Sequence, residues 1–168
     1  MIELNNLTTA GMRRLAAVVL IGCLVILFLS GFETVKAKVN DIKRRADIKT
    51  MVQALDLYHD KYGKYPDSAA DWQGWDLSIG YQGSKPEFIK ELSDNNLIDR
   101  QLKDPINNES YHYRYEKFQA GDYGCANSFY ILQVINFELP TRDIGRGDCP
   151  ELNWATLTPN GYTVQGFD

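Results

Sequence analysis

The sequence predicts an α+β fold: a long N-terminal helix, apolar throughout its front part and amphipathic behind, packed on a small antiparallel β-sheet. Three observations predict it. Leu15 to Phe32 holds 18 residues without a charge. Beyond that run, apolar residues recur mostly at steps of three and four as far as Tyr62, the spacing of one helix face. From Tyr111 the period changes to two, with Tyr111, Tyr113 and Tyr115 alternating with His112, Arg114 and Glu116, as in a half-buried strand.

The apolar run, LAAVVLIGCLVILFLSGF, lies between Arg13-Arg14 and Glu33. At about 1.5 Å of rise per residue it spans roughly 27 Å, close to the ~30 Å hydrocarbon core of a bilayer. It has no polar face, unlike a helix on a globular core, and Gly22, Ser30 and Gly31 permit close helix approach in lipid. The chain therefore divides into a short tail (1–14), a transmembrane helix (15–32) and a head (33–168) that includes the rear half of the helix. Arg13 and Arg14 on one side face Lys36, Lys38, Lys43, Arg44 and Arg45 on the other, so the positive-inside count does not choose an orientation. The fourteen-residue tail and the pair of head cysteines favour a single pass through the inner or cytoplasmic membrane with the head outside. A cleaved signal peptide ending at Val35-Lys36-Ala37 is the rival reading. Its apolar region is longer than the ~7–15 residues of such signals, and the helical pattern runs through the proposed cut.

Beyond residue 32 the chain has 136 of its 168 residues, enough for one modest core. Its charge is uneven: residues 33–65 carry a net of +3 and residues 66–168 a net of −8. An acidic head lacks the basic footprint that nucleic acid requires. The basic segment behind the apolar run suits either a solvated helix face or anionic lipid head groups.

Along the rear of the helix, Val35, Val39, Ile42, Ala46, Ile48, Met51, Val52, Leu55, Tyr58 and Tyr62 form the apolar stripe, and Lys43, Arg44, Lys49, Gln53, Asp56 and Asp60 lie between them. Gly63 supplies a C-cap and Pro66 a stop. Asp67 to Gly83 is a loop whose Trp72 and Trp75 cover the edge of a small core or form a binding patch. Ser84-Lys85-Pro86-Glu87 matches a capping box, so a short helix is expected from Pro86 to about Asn95, burying Phe88, Ile89 and Leu92. Asp104-Pro105-Ile106-Asn107-Asn108 is a turn cluster. The strand at Tyr111–Glu116 pairs with a second at Ser128–Leu139 in a hairpin lying on the helix, and Asn160–Phe167 adds a third strand.

Cys23 falls in the apolar run and reads as a small apolar residue. Cys125 and Cys149 are the only cysteines of the head. In an extracytoplasmic head they pair, closing a loop of about 25 residues, for which chain entropy gives about 3–4 kcal/mol. One cysteine per region is wrong for zinc. There is no phosphate loop, HExxH or GxSxG, and His59 and His112 read as surface residues, so no enzyme and no cofactor are expected. Asp143, Asp148 and Glu151 either form an acidic solvated loop or hold calcium with backbone carbonyls. The Arg146-Gly147-Asp148 tripeptide and the sequons at Asn6 and Asn108 are assigned no role.

One resemblance covers about Leu15 to Glu138. RRADIKTMVQALDLYHDKYGKYP resembles the end of the long helix in type IV pilin-like proteins, especially the major pseudopilin of type II secretion systems. The residues that carry it are Arg45, Asp47, Ile48, Ala54, Leu55, Tyr58, Gly63, Tyr65 and Pro66. LKDPINNESYHYRYEKF and FYILQVINFE are similar to the Asp-Pro-x-Asn turn and paired strands of small pseudopilins. Gly11-Met12 resembles the family's processing junction. The family places a glutamate at the fifth position after it; here that position is Ala16, and Arg13-Arg14 stand where apolar residues are usual.

The resemblance implies a pilin-like fold and a membrane-anchored structural subunit of a type II secretion or type IV pilus-type assembly. Its expected partners are the membrane, other pilin-like subunits met through the apolar helix, and the assembly machinery. With Ala16 and Arg13-Arg14 in place, it implies an unprocessed, degenerate or specialised member that stays a membrane anchor. The alternative is a single-pass surface protein whose head binds a ligand or partner without forming a filament.

Overall fold

The computed structural model describes residues 2–69, 73–80, 87–99 and 102–168, and of residues 2–10, 24 and 27–30 the backbone alone. The chain forms two compact units, Met1–Val39 and Asn40–Asp168. Helix α1, Ile2–Tyr62, makes up the described part of the first unit and opens the second.

In the first unit Leu15, Val18, Val19, Leu20, Ile21, Val25, Ile26 and Phe32 are each more than half exposed. Successive helical residues are turned by about 100°, so Val18 to Ile21 alone place apolar side chains on every side. Among the described residues no helix is long and apolar enough to cross a membrane. The side chains at positions 24 and 27–30 of the expected 15–32 span lie outside the described residues.

The second unit is built on a four-stranded antiparallel sheet. Its strands are β1 (Asp76–Leu77), β2 (Tyr113–Phe118), β3 (Phe129–Val134) and β6 (Tyr162–Phe167), side by side in that order. A two-stranded ribbon of β4 (Asp148–Cys149) and β5 (Leu152–Asn153) stands apart from it. Pleating sends alternate residues to opposite faces. On one face Tyr113, Tyr115, Tyr130, Leu132 and Val134 meet Ile48, Met51, Ala54 and Leu55 of α1, joined by Phe88, Ile89 and Leu92. On the other, Phe118, Phe129 and Ile131 meet Trp75, Leu77, Trp154 and the Cys125–Cys149 disulfide, whose Cα atoms are 5.2 Å apart. The disulfide is thus present as expected, and both faces of the sheet are covered. Trp75 belongs to this second core; Trp72 lies outside the described residues.

Several expected boundaries shift for local reasons. The apolar stripe on α1 begins later than the spacing suggested. Val35, Val39 and Ile42 are exposed, and the buried line runs through Arg44, Asp47, Ile48, Met51, Ala54 and Leu55. Ile42 is nine residues before Met51, and nine steps of about 100° put it half a revolution away from the core. The short helix α2 is Lys90–Asp94, not a run from Pro86. Ile89 sits at φ 44° with its N–H on the Asp76 carboxylate (2.7 Å), which buries its side chain and leaves it outside helical geometry. Ser84 and Pro86 of the expected capping box lie outside the described residues. Strand β3 stops at Val134 because the following chain turns to the helix: the N–H groups of Glu138 and Leu139 both donate to the Asp41 carboxylate at 2.9 Å. Helix α1 ends as expected, with Gly63 at φ 70° and its N–H on the His59 carbonyl at 2.7 Å.

Candidate functional site

The rear part of α1 is locked to the head by one buried cation. The Arg44 side chain is fully buried, which the pattern of polar residues along the helix did not foresee. Its Nε donates to Asp104 Oδ2 at 2.6 Å and its Nη2 to Asp104 Oδ1 at 3.0 Å, a bidentate pair. Nη1 reaches Asp41 at 2.6 Å and Glu138 at 3.0 Å. Burial opposes the charge, yet these carboxylates outweigh it and raise the guanidinium above its usual value. Two of the three acids also do backbone work. Asp104 accepts the N–H of Ile106 at 2.8 Å and of Asn107 at 3.3 Å, which shapes the Asp-Pro turn, and Asp41 holds residues 138–139. A signal for Arg44 was present in the sequence: it lies four residues before Ile48 and seven before Met51, on the core line itself.

The motif residues of the helix end gather around this clasp and the adjoining core. Asp47 is bonded to Lys43 and accepts the Tyr113 hydroxyl at 2.8 Å; burial, then the Asp47 charge, raise the Tyr113 phenol above its ordinary range. Arg45 points the other way, to Asp143 at 2.9 Å, with its guanidinium over the Phe137 and Tyr162 rings at 4.7 and 5.1 Å. Ala54 and Leu55 are core residues, and Tyr58 packs on Tyr62 with ring centres 4.5 Å apart. Tyr65 packs edge-on against Tyr130 at 4.6 Å, and its phenol is pushed up to about 12, chiefly by burial. Its N–H donates to the Asp168 side chain at 3.0 Å, and the Pro66 carbonyl accepts the Tyr115 hydroxyl at 2.7 Å. The Gly-x-Tyr-Pro end thus ties the helix terminus to both β2 and the last residue of the chain. Gly11 and Met12 lie inside α1, in the first unit, both exposed.

The acids proposed for calcium do not converge. Asp143 is bonded to Arg45, Asp148 lies 3.5 Å from Arg146, and Glu151 is exposed. Among the described residues no group of three or more His, Cys, Asp or Glu could hold a metal. His59 is 3.9 Å from Asp168 and stacks near Tyr65, and burial lowers the pKa of His112.

Two surface features have no counterpart in the sequence reading. An open groove of about 420 Å³ lies between α1 and the edge strand β6, lined by Arg45, Ile48, Lys49, Val52, Gln53, Tyr162 and Val164. On the opposite side of the sheet Tyr123 is exposed, with the exposed acid Glu151 beside it. Tyr123 is held at φ 49° in the turn Asp122–Gly124, with its ring on Trp154 at 4.9 Å and its carbonyl accepting the Glu151 N–H at 3.1 Å.

Comparison with protein-family models, with curated proteins and with solved structures gives no match for this chain.

Proposed function

We propose that the protein is a membrane-anchored, pilin-like structural subunit of a type II secretion or type IV pilus-type assembly, with its head outside the membrane. The observation that carries this reading is the division of labour along α1. Its first-unit part exposes Leu15, Val18, Val19, Leu20, Ile21, Val25, Ile26 and Phe32, and its second-unit part packs Ile48, Met51, Ala54 and Leu55 against the sheet. A helix apolar all round is stable only when other apolar matter surrounds it, whether lipid or neighbouring helices. Small residues at Gly22, Ser30 and Gly31 favour close approach of such helices. The disulfide supports an oxidising, extracytoplasmic location for the head. The buried clasp and the Gly-x-Tyr-Pro anchor hold the rear of α1 against the sheet within the second unit.

Cysteines engineered two at a time, on opposite sides of the helix along 15–32, test it in membranes in a Cys23→Ser background. Ladders of three or more copies on oxidation are expected of a filament subunit. Bands no larger than dimers overturn the reading and leave a lone surface anchor.

A further inference from the structure

Strand β6 is the outer strand of the sheet, and only part of its free edge is covered. The Thr163 N–H donates to the Ile144 carbonyl at 2.9 Å, and the Thr163 carbonyl accepts the Arg146 N–H at 2.8 Å, so residues 144–146 lie along the strand there as a short parallel addition. Gly147 then turns away, its carbonyl accepting the Trp154 N–H at 2.6 Å. Successive residues of a paired strand turn their main-chain groups to opposite sides. Thr163 bonds outward, and Asp168, of the opposite parity, donates its N–H inward to the Ser128 carbonyl at 2.9 Å. Gln165 and Phe167 therefore aim N–H and C=O outward, and among the described residues those groups have no partner. A recess lies on each face of β6. On the outer face, where Gln165 reaches the disulfide and Phe167 packs on Phe129, about 320 Å³ is lined by Arg146, Asp148, Gln165 and Phe167. On the inner face is the α1 groove, with Ile48, Val52 and Val164 in its lining.

We propose that the open edge of β6 at Gln165–Phe167 receives an extended segment of a partner protein, which joins the sheet as a further strand. A row of unpaired main-chain donors and acceptors is matched by another extended chain, because a helix satisfies its own amides internally. Pleating sends alternate side chains of the incoming segment to the two faces. Polar ones meet the exposed Arg146–Asp148 pair on the outer face, and apolar ones turn toward Val164 and Val52 on the inner face. The partner segment is therefore a short run of alternating polar and apolar residues without proline at the pairing positions. The choice of a partner protein over a second copy rests on the membrane-anchored reading. Two copies joined edge to edge through β6 would be related by a two-fold axis normal to the sheet. That axis reverses every direction in the sheet plane, including that of α1, which packs Ile48 to Leu55 along the inner face. Copies anchored in one membrane share one direction and do not pair in this way.

The test uses the full chain in detergent micelles and, as probe, the peptide acetyl-Ser-Val-Thr-Val-Ser-amide at millimolar concentration. Amide hydrogen exchange at Gln165 and Phe167 is expected to slow at least several-fold, with Thr163 unchanged because its N–H is already bonded to Ile144. Phe167→Pro removes an N–H that the sheet does not use, at an edge position where proline is tolerated, and should abolish the slowing at Gln165. The same peptide N-methylated at every residue cannot pair and should have no effect, and a version with serine for both valines should lose most of it. No slowing at either amide, or equal slowing by the N-methylated peptide, would overturn the proposal. Slowing that rises with protein concentration before peptide is added would overturn it in favour of a second copy. Ladders through residues 15–32 decide the filament reading separately, so the two can fail independently.

Discussion

Arg44 and Asp104 are 60 residues apart in sequence and meet through two parallel hydrogen bonds, at 2.6 and 3.0 Å, with both side chains fully buried. The pair joins the helix to the Asp-Pro turn that leads into β2. Asp41 and Glu138 add a second connection, from the same guanidinium to the chain leaving β3. The rear of α1 is thereby fixed in register against both central strands. A one-turn slip would leave Asp104 buried without its cation.

Removing that cation should be expensive. Arg44→Met leaves the Asp104 carboxylate buried with only backbone donors, and breaking such a pair from one side costs about 3–5 kcal/mol. The double variant Arg44→Met with Asp104→Leu should lose less than the two single variants summed, because no orphaned charge remains at that contact. Denaturant unfolding of the full chain, followed by tryptophan fluorescence, measures both.

Glu116 gives the head a pH dependence. Burial pushes its carboxyl up to about 7, with Arg114 pulling the other way. A carboxyl that titrates near 4.3 when unfolded and higher when folded contributes stability that is fully present below about 4.3. That contribution is lost as pH rises through about 7. Glu116→Gln is therefore expected to gain on the parent in thermal midpoint between pH 5 and pH 8. A constant difference across that range would refute the shift.

Cys125 and Cys149 tie the turn at Asp122–Gly124 to the β4–β5 ribbon on the outer core. Replacing both by serine should destabilise the head by about 3–4 kcal/mol, from loop entropy alone. The exposed Tyr123 region should then become the first site of protease cleavage, which limited proteolysis with mapping by mass reads directly.

Gly145 runs beside β6, with the Arg146 N–H on the Thr163 carbonyl at 2.8 Å and the Thr163 N–H on the Ile144 carbonyl at 2.9 Å. At φ 76° a Cβ there would stand 2.0 Å from the Thr163 oxygen. Gly145→Ala is expected to detach residues 144–146 from the strand, and faster amide exchange at Thr163 would report it. Gly121→Ala, which meets no atom within 4 Å but shares a positive φ, should show backbone strain without that loss of protection.

Much of this was legible in one sequence because the responsible signals are local. A charge-free run, a step of three or four, a period of two, a glycine before a proline and two lone cysteines report on residues near each other or on pairings with few alternatives. They determined the α+β class, the helix end at Gly63, the β2–β3 pairing and the disulfide. Tertiary structure decided what depends on distant partners. Arg44 is buried because Asp41, Asp104 and Glu138 converge on it. Ile89 leaves the helix because Asp76 claims its N–H, and β3 ends because Asp41 claims the amides of Glu138 and Leu139. Spacing along a chain states which side chains share a face, but which face is covered, and by what charge, is settled only when remote segments pack together.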